Sequence, residues 1–174
     1  GFYGGAILEK PTDVVRMPFC GTGLLRKSAV EKAGGFIYEP TYFIYGEDVD
    51  LGFRLNRCGY SVELTPEVVQ HHYGYMSQRL FTRFHLTSLI ERNMLVTMLT
   101  HLRKRHLLFS LPYAVALRFL VFFKDLAKRD WERARARLQV LKELFTGKLI
   151  SSAIARRRHL RHLKPFSGYS SGFF

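Results

Sequence analysis

Residues Leu107 to Phe123 make a nearly continuous apolar run of 17 residues, interrupted by Pro112 and Arg118. Such a run is poorly suited to water, and it falls slightly short of the roughly 20 residues that a membrane-spanning helix needs. A monotopic or re-entrant membrane element is therefore expected in preference to a clean span. The next segment, Lys124 to Phe145, sets Leu126, Ala134, Leu138, Leu141 and Phe145 at helical spacing against Lys128, Arg129, Arg133, Arg135, Arg137 and Lys142, with Trp131 near its start. That pattern predicts a basic amphipathic helix with two open readings. It lies in a membrane interface, or it packs on the protein's own core and solvates its basic face. The cluster Arg156-Arg157-Arg158-His159-Leu160-Arg161-His162 adds a polybasic patch suited to anionic lipid. No recognised nucleic-acid module accompanies it, so no nucleic-acid partner is expected.

Charge divides the chain. It carries 27 Lys and Arg against 14 Asp and Glu, but residues 1–77 hold 7 basic and 9 acidic residues (net −2), whereas residues 78–174 hold 20 and 5 (net +15). A first unit over 1–78 and a basic helical region over 79–174 are expected. The end, Pro165 to Phe174, is rich in Gly, Ser and aromatics and reads as weakly ordered. Cys20 and Cys58 have no Cys-x-x-Cys spacing and read as small buried residues in a reducing compartment.

The first unit holds the chemistry. Glu47, Asp48 and Asp50 crowd into four positions after the aromatic run Tyr42-Phe43-Ile44, and are followed by Leu51, Phe53 and Leu55, then Arg54 and Arg57, then Gly59. Acids at the start, cations at the end and glycine just beyond predict a short helix. On spacing alone, ordinary helix-capping acids and a general base at the rim of an aromatic pocket both fit. Upstream, Ser28-Ala29-Val30-Glu31 reads as a capping box opening a helix that Gly34-Gly35-Phe36 closes. Downstream, Gly59 to Pro66 alternates as a half-buried strand does.

The order Gly21-Thr22-Gly23-Leu24-Leu25-Arg26, Val30 with Gly34-Gly35-Phe36, Tyr45-Gly46-Glu47-Asp48-Val49-Asp50-Leu51, Arg57 with Gly59-Tyr60, and Pro66-Glu67-Val68-Val69-Gln70-His71-His72 resembles the C-terminal half of family 2 glycosyltransferase domains. These are the inverting enzymes of GT-A fold. Arg92-Asn93 fits their bacterial, membrane-associated branch. The resemblance implies an α/β class, a partial GT-A fold over 1–78 forming the acceptor-side half, followed by the helical region. Two departures stand out. Ile37-Tyr38-Glu39 follows Phe36 where an Asp is usual, and the nucleotide-binding half with its Asp-x-Asp motif is missing, so the chain reads as a fragment.

The resemblance also implies a function. A sugar, of hexosyl or rhamnosyl type, passes with inversion from a nucleotide-sugar donor to a saccharide or lipid-linked acceptor in cell-envelope polysaccharide synthesis. Asp48 matches the base and Glu47 its neighbour. Gly21, Thr22, Gly23, Tyr45 and Asp50 are candidates for substrate contact, although glycines in a strand also mark bulges and Asp50 also reads as a partner of Arg54. His71 and His72 are candidates to bind the divalent cation, Mn²⁺ or Mg²⁺, which the missing half would chiefly hold; neighbours on a strand face opposite ways, so one of them faces the site. The cytoplasmic face of the cell membrane is the expected location, peripheral or monotopic, with an anionic membrane surface as partner. The competing reading is a non-catalytic membrane-surface module whose acids are helix caps. A Ca²⁺ site of EF-hand type is disfavoured, because Glu47 to Asp50 lacks the alternating ligands and central glycine.

Overall fold

A computed structural model describes residues 15–16, 23–64 and 80–166 of the chain. Helix α1 (Lys27–Lys32) starts from Arg26, whose side chain makes no cap bond, so the capping box expected at Ser28 is not used. It ends at Gly34 and Gly35, whose φ of 120° and 82° suits glycine and lets the Gly35 amide return to the Val30 carbonyl at 3.0 Å. A 3-10 turn (Pro40–Tyr42) then leads into α2 (Glu47–Arg57), which carries its acids in the first turn and Arg54 and Arg57 in the last, as the sequence predicts. Leu51 and Leu55 of α2 pack against Ala29 and Ala33 in a small core.

Four longer helices follow: α3 (Arg83–His101), α4 (Lys104–Ala127), α5 (Trp131–Phe145) and α6 (Lys148–His159). The Thr82 side chain caps α3 by accepting from the His85 amide. Over its second half α3 buries Asn93, Leu95, Val96, Thr97, Leu99, Thr100 and His101, which cover most of the helix surface and leave the side of Met94 exposed. That wide buried face is covered by α2, α5 and α6, which all pack on α3. The main core joins Leu95, Val96 and Leu99 of α3 to Val140 and Leu144 of α5 and Leu149 and Ala153 of α6, with Tyr42 inserted from the loop before α2. Helix α4 is the outer member and packs chiefly on α5.

The expected α/β class is not what the described residues adopt. Their strand content is one antiparallel pair of two residues, β1 (Val15–Arg16) with β2 (Glu63–Leu64), in the register Val15 to Leu64 and Arg16 to Glu63. The rest of the regular structure is helical. Of the alternating stretch from Gly59 to Pro66, the described residues 59–64 pair at Glu63 and Leu64, and Thr65 and Pro66 lie outside the described residues.

Three further expectations change. Lys124 to Phe145 is not one helix: α4 stops at Ala127, Arg129 takes a φ of 55°, and Asp130 restarts the chain by accepting from the Arg133 amide. Its apolar face is also different, since Ala134, Val140, Leu141 and Leu144 are buried while Leu138 and Phe145 are exposed. Helix α5 thus packs on the protein's own core. At the chain's end, Phe166 is buried and sits edge-on against Phe53, with ring centres 4.9 Å apart; residues 167–174 lie outside the described residues.

Candidate functional site

The approach to α2 is a bent loop held from below. Phe43 and Tyr45 have φ of 61° and 66°, left-handed values that cost a non-glycine residue about 1–2 kcal/mol each. The Asn93 side-chain amide of α3 stabilises the bend, donating to the carbonyls of Tyr42 (3.0 Å), Ile44 (3.0 Å) and Tyr45 (2.7 Å). Gly46, with φ 87°, opens α2 directly over this residue; a Cβ there would meet the Asn93 Cβ at 3.3 Å. Backbone strain that a buried side chain compensates is characteristic of loops that present a reacting group.

Asp48 and Asp50 part company at this point. Two residues along a helix turn the side chain by about 200°, so one carboxylate faces the bundle and the other faces away from it. Asp50 is fully buried. Its Oδ2 accepts from Arg54 Nε at 2.8 Å, and its Oδ1 accepts from His101 Nε2 at 2.7 Å and Arg156 Nη2 at 2.6 Å. Burial alone would raise its pKa, but the His101 hydrogen bond and the neighbouring cations overcome this and hold it below the usual carboxylate range. The expectation that Asp50 contacts substrate is therefore corrected. It anchors α2 to α3 and α6.

The anchor extends outward. Arg54 donates to the carbonyls of Ala33 (3.0 Å) and Phe36 (2.8 Å) and lies over the Phe36 ring, which fixes the segment after α1. Arg57 donates to the carbonyls of Leu160 and Leu163, which satisfies the C-terminal end of α6. Arg156 lies over the Tyr42 ring and donates to its hydroxyl, and burial pushes that phenol up to about 12, so it stays neutral. Arg157 donates to the carbonyls of Leu99 and Leu102 at the end of α3. Half of the expected lipid-facing cluster is thus turned inward.

His101 is held neutral. Arg57 Nη1 lies 3.2 Å from its Nδ1, and a guanidinium is only a donor, so Nδ1 accepts and Nε2 carries the hydrogen given to Asp50. Burial pulls its pKa down to about 4, against the pull of Asp50. Between the unfolded value of 6.5 and about 4, the unfolded chain takes up a proton that the folded chain does not. This contribution to stability is complete above 6.5 and falls with pH through that window, by about 3 kcal/mol. Asp50 has a depressed folded pKa, so its share is lost further down, as pH falls through its ordinary 3.8 and below. Urea midpoints measured from neutral pH to about 4 should drop steadily, and His101→Gln should flatten that slope. Identical pH slopes in the two proteins would refute the assignment.

Glu47 and Asp48 form the outward half of the cluster. Both are partly buried at the first turn of α2, and desolvation raises both pKa values; for Glu47 the adjoining Asp48 charge adds to the rise. Asp48 Oδ1 accepts from the Val49 amide at 2.8 Å, and among the described residues Asp48 forms no ion pair. Glu47 Oε2 is buried without a hydrogen-bond partner. These carboxylates are raised in basicity, and no cation among the described residues forms an ion pair with either.

Of the other expected site residues, Tyr45 lies in the bent loop and Gly23 is exposed with open space around it. Gly21, Thr22, His71 and His72 lie outside the described residues. Among the described residues no group of three His, Cys, Asp or Glu side chains converges to hold a metal. Asp50 is saturated by two guanidinium groups and an imidazole and is not available to a divalent cation. His101, which the sequence did not single out, and Arg156, which it offered only as lipid-facing, stand 51 and 106 positions from Asp50, beyond any local pattern.

No protein-family model matches the chain, and no solved structure matches it significantly. Two curated proteins do, both named N-acetylglucosaminyl-diphospho-decaprenol L-rhamnosyltransferase, from Mycobacterium tuberculosis strains CDC 1551 / Oshkosh and ATCC 25618 / H37Rv. The similarity is to a glycosyltransferase. Each relative is 44% identical over 57 residues, which is 32% of this chain and 18% of the relative. The match therefore spans about a fifth of the length of these relatives.

Proposed function

We propose that this chain is part of a glycosyltransferase that moves a sugar, of hexosyl or rhamnosyl type, from a nucleotide-sugar donor to a saccharide or lipid-linked acceptor with inversion, in cell-envelope polysaccharide synthesis at the cytoplasmic face of the membrane. The observation that carries this reading is the state of Asp48, a partly desolvated carboxylate with no ion-pair partner among the described residues, presented by a loop under strain. The partial kinship to two rhamnosyltransferases supports it.

An acceptor hydroxyl is a poor nucleophile at neutral pH, so a base must take its proton as the new bond forms. Asp48 is that base: desolvation strengthens it, while the N-terminus of α2 keeps enough of it ionised to act. Glu47, partly buried beside Asp48, accepts from a second acceptor hydroxyl and orients it. Gly21, Thr22, Gly23 and Tyr45 are assigned to substrate contact by the resemblance to family 2 glycosyltransferases. The hydroxyl oxygen bonds to the anomeric carbon from the side opposite the departing nucleoside diphosphate, which takes the electron pair of the broken bond.

The test is transfer by the protein that carries this chain. It should be supplied with a panel of nucleotide sugars, a nucleotide-activated L-rhamnose among them, and a polyprenyl-diphospho-N-acetylglucosamine acceptor. Product of inverted anomeric configuration, read by NMR, is expected. Retained configuration would refute the mechanism. No transfer from any donor, in a protein that still binds lipid, would favour the non-catalytic membrane-surface module.

A further inference from the structure

Four of the five acidic residues of the helical region are paired with cations, and Glu132 is the exposed exception. Glu91 pairs with Arg118 and Arg137, Asp125 with Arg137, Asp130 with Arg83 and Arg133, and Glu143 with Arg92 and Lys148. By contrast Lys104, Arg105, Lys124, Lys128 and Arg129, at the two ends of α4, are exposed and form no ion pair among the described residues. Between these basic ends α4 exposes Leu108, Phe109, Tyr113, Leu117, Leu120 and Phe123 at helical spacing, four of them by two thirds or more. Its opposite face is committed: Leu107, Leu111, Ala114 and Val115 pack on the main core, and Arg118 reaches Glu91 at 2.9 Å.

We propose that α4 docks the protein on an anionic lipid bilayer while lying in the plane of the interface, its apolar stripe among the upper acyl chains and its basic ends at the headgroups. This inference does not depend on the glycosyltransferase reading. At 24 residues and a mean hydropathy of 1.7 over its apolar window, α4 is long and apolar enough to cross a membrane. One-sided packing argues against that. A span would strip the inner face from the core and carry Arg118, parted from Glu91, into hydrocarbon. A second copy is an unsuitable cover, because stacking two α4 stripes in either direction brings basic ends against basic ends.

The test uses the whole chain with vesicles of phosphatidylcholine alone or mixed with phosphatidylglycerol. Co-sedimentation should favour the phosphatidylglycerol vesicles, with part of the binding surviving high salt. Phe109→Glu with Leu120→Glu, both at exposed positions, should weaken binding at least about tenfold while circular dichroism stays unchanged. In a Cys20→Ser, Cys58→Ser background, single cysteines placed at Lys104 and Lys128 should both react with an impermeant maleimide added outside the vesicles. Protection of one end would establish a span and overturn the proposal. So would an absence of vesicle binding, binding indifferent to the stripe substitutions, or a dimer that those substitutions dissociate in place of vesicle binding.

Discussion

Asp48→Asn in the enzyme that carries this chain is expected to lower the transfer rate by roughly 10²-fold or more, the scale of general-base catalysis, with donor binding retained. Asparagine keeps the shape of the side chain and its bond from the Val49 amide but cannot take a proton. Because desolvation raises the Asp48 pKa, the acid limb of the rate profile should lie above that of an ordinary carboxylate and should vanish from the residual activity of the variant. Near-normal turnover on the natural acceptor would remove Asp48 from the role. The parallel substitution Glu47→Gln should act mainly on acceptor KM, since Glu47 is assigned to orientation.

Asp50→Ala is expected to cost about 3–5 kcal/mol of folding stability, because it leaves Arg54 and Arg156 buried without their shared counter-charge. Urea denaturation followed by helical circular dichroism measures this on the chain itself. A double-mutant cycle of Asp50→Ala with Arg156→Ala should show coupling above about 1 kcal/mol, since the two groups share one network. A loss below about 1 kcal/mol for Asp50→Ala, the value of an exposed pair, would contradict the buried arrangement. The two aspartates therefore separate by readout: Asp48 should move rate with little change in stability, and Asp50 should move stability first.

Helix α2 was legible in the sequence because its signals are local. Acids in the first turn, arginines in the last and Gly59 beyond it all act within a few residues through the helix dipole and the unpaired backbone groups at its ends. The apolar run from Leu107 likewise became α4. The α/β expectation, which came from the resemblance, is not met, since a strand needs a partner and the described residues supply one over two positions only. The amphipathic reading of Lys124 to Phe145 failed at Asp130, where a side-chain cap restarts the helix and turns its buried face onto Val140 and Leu144.

By itself the sequence determined the span of α2 and that Glu47, Asp48 and Asp50 stand at its head, because those properties depend on neighbours within a turn. Only the tertiary structure decided that Asp50 belongs to the bundle and Asp48 to the outside. That decision needs His101 and Arg156 brought to one carboxylate across 51 and 106 residues, and burial to make the meeting strong. The same packing turned Arg156 and Arg157 from lipid-facing candidates into internal ties, and left α4 with one face on the core and the other open. Polar pairs of this kind have no period and no spacing for a sequence to display; the enclosing core selects them by the cost of leaving any member unpaired.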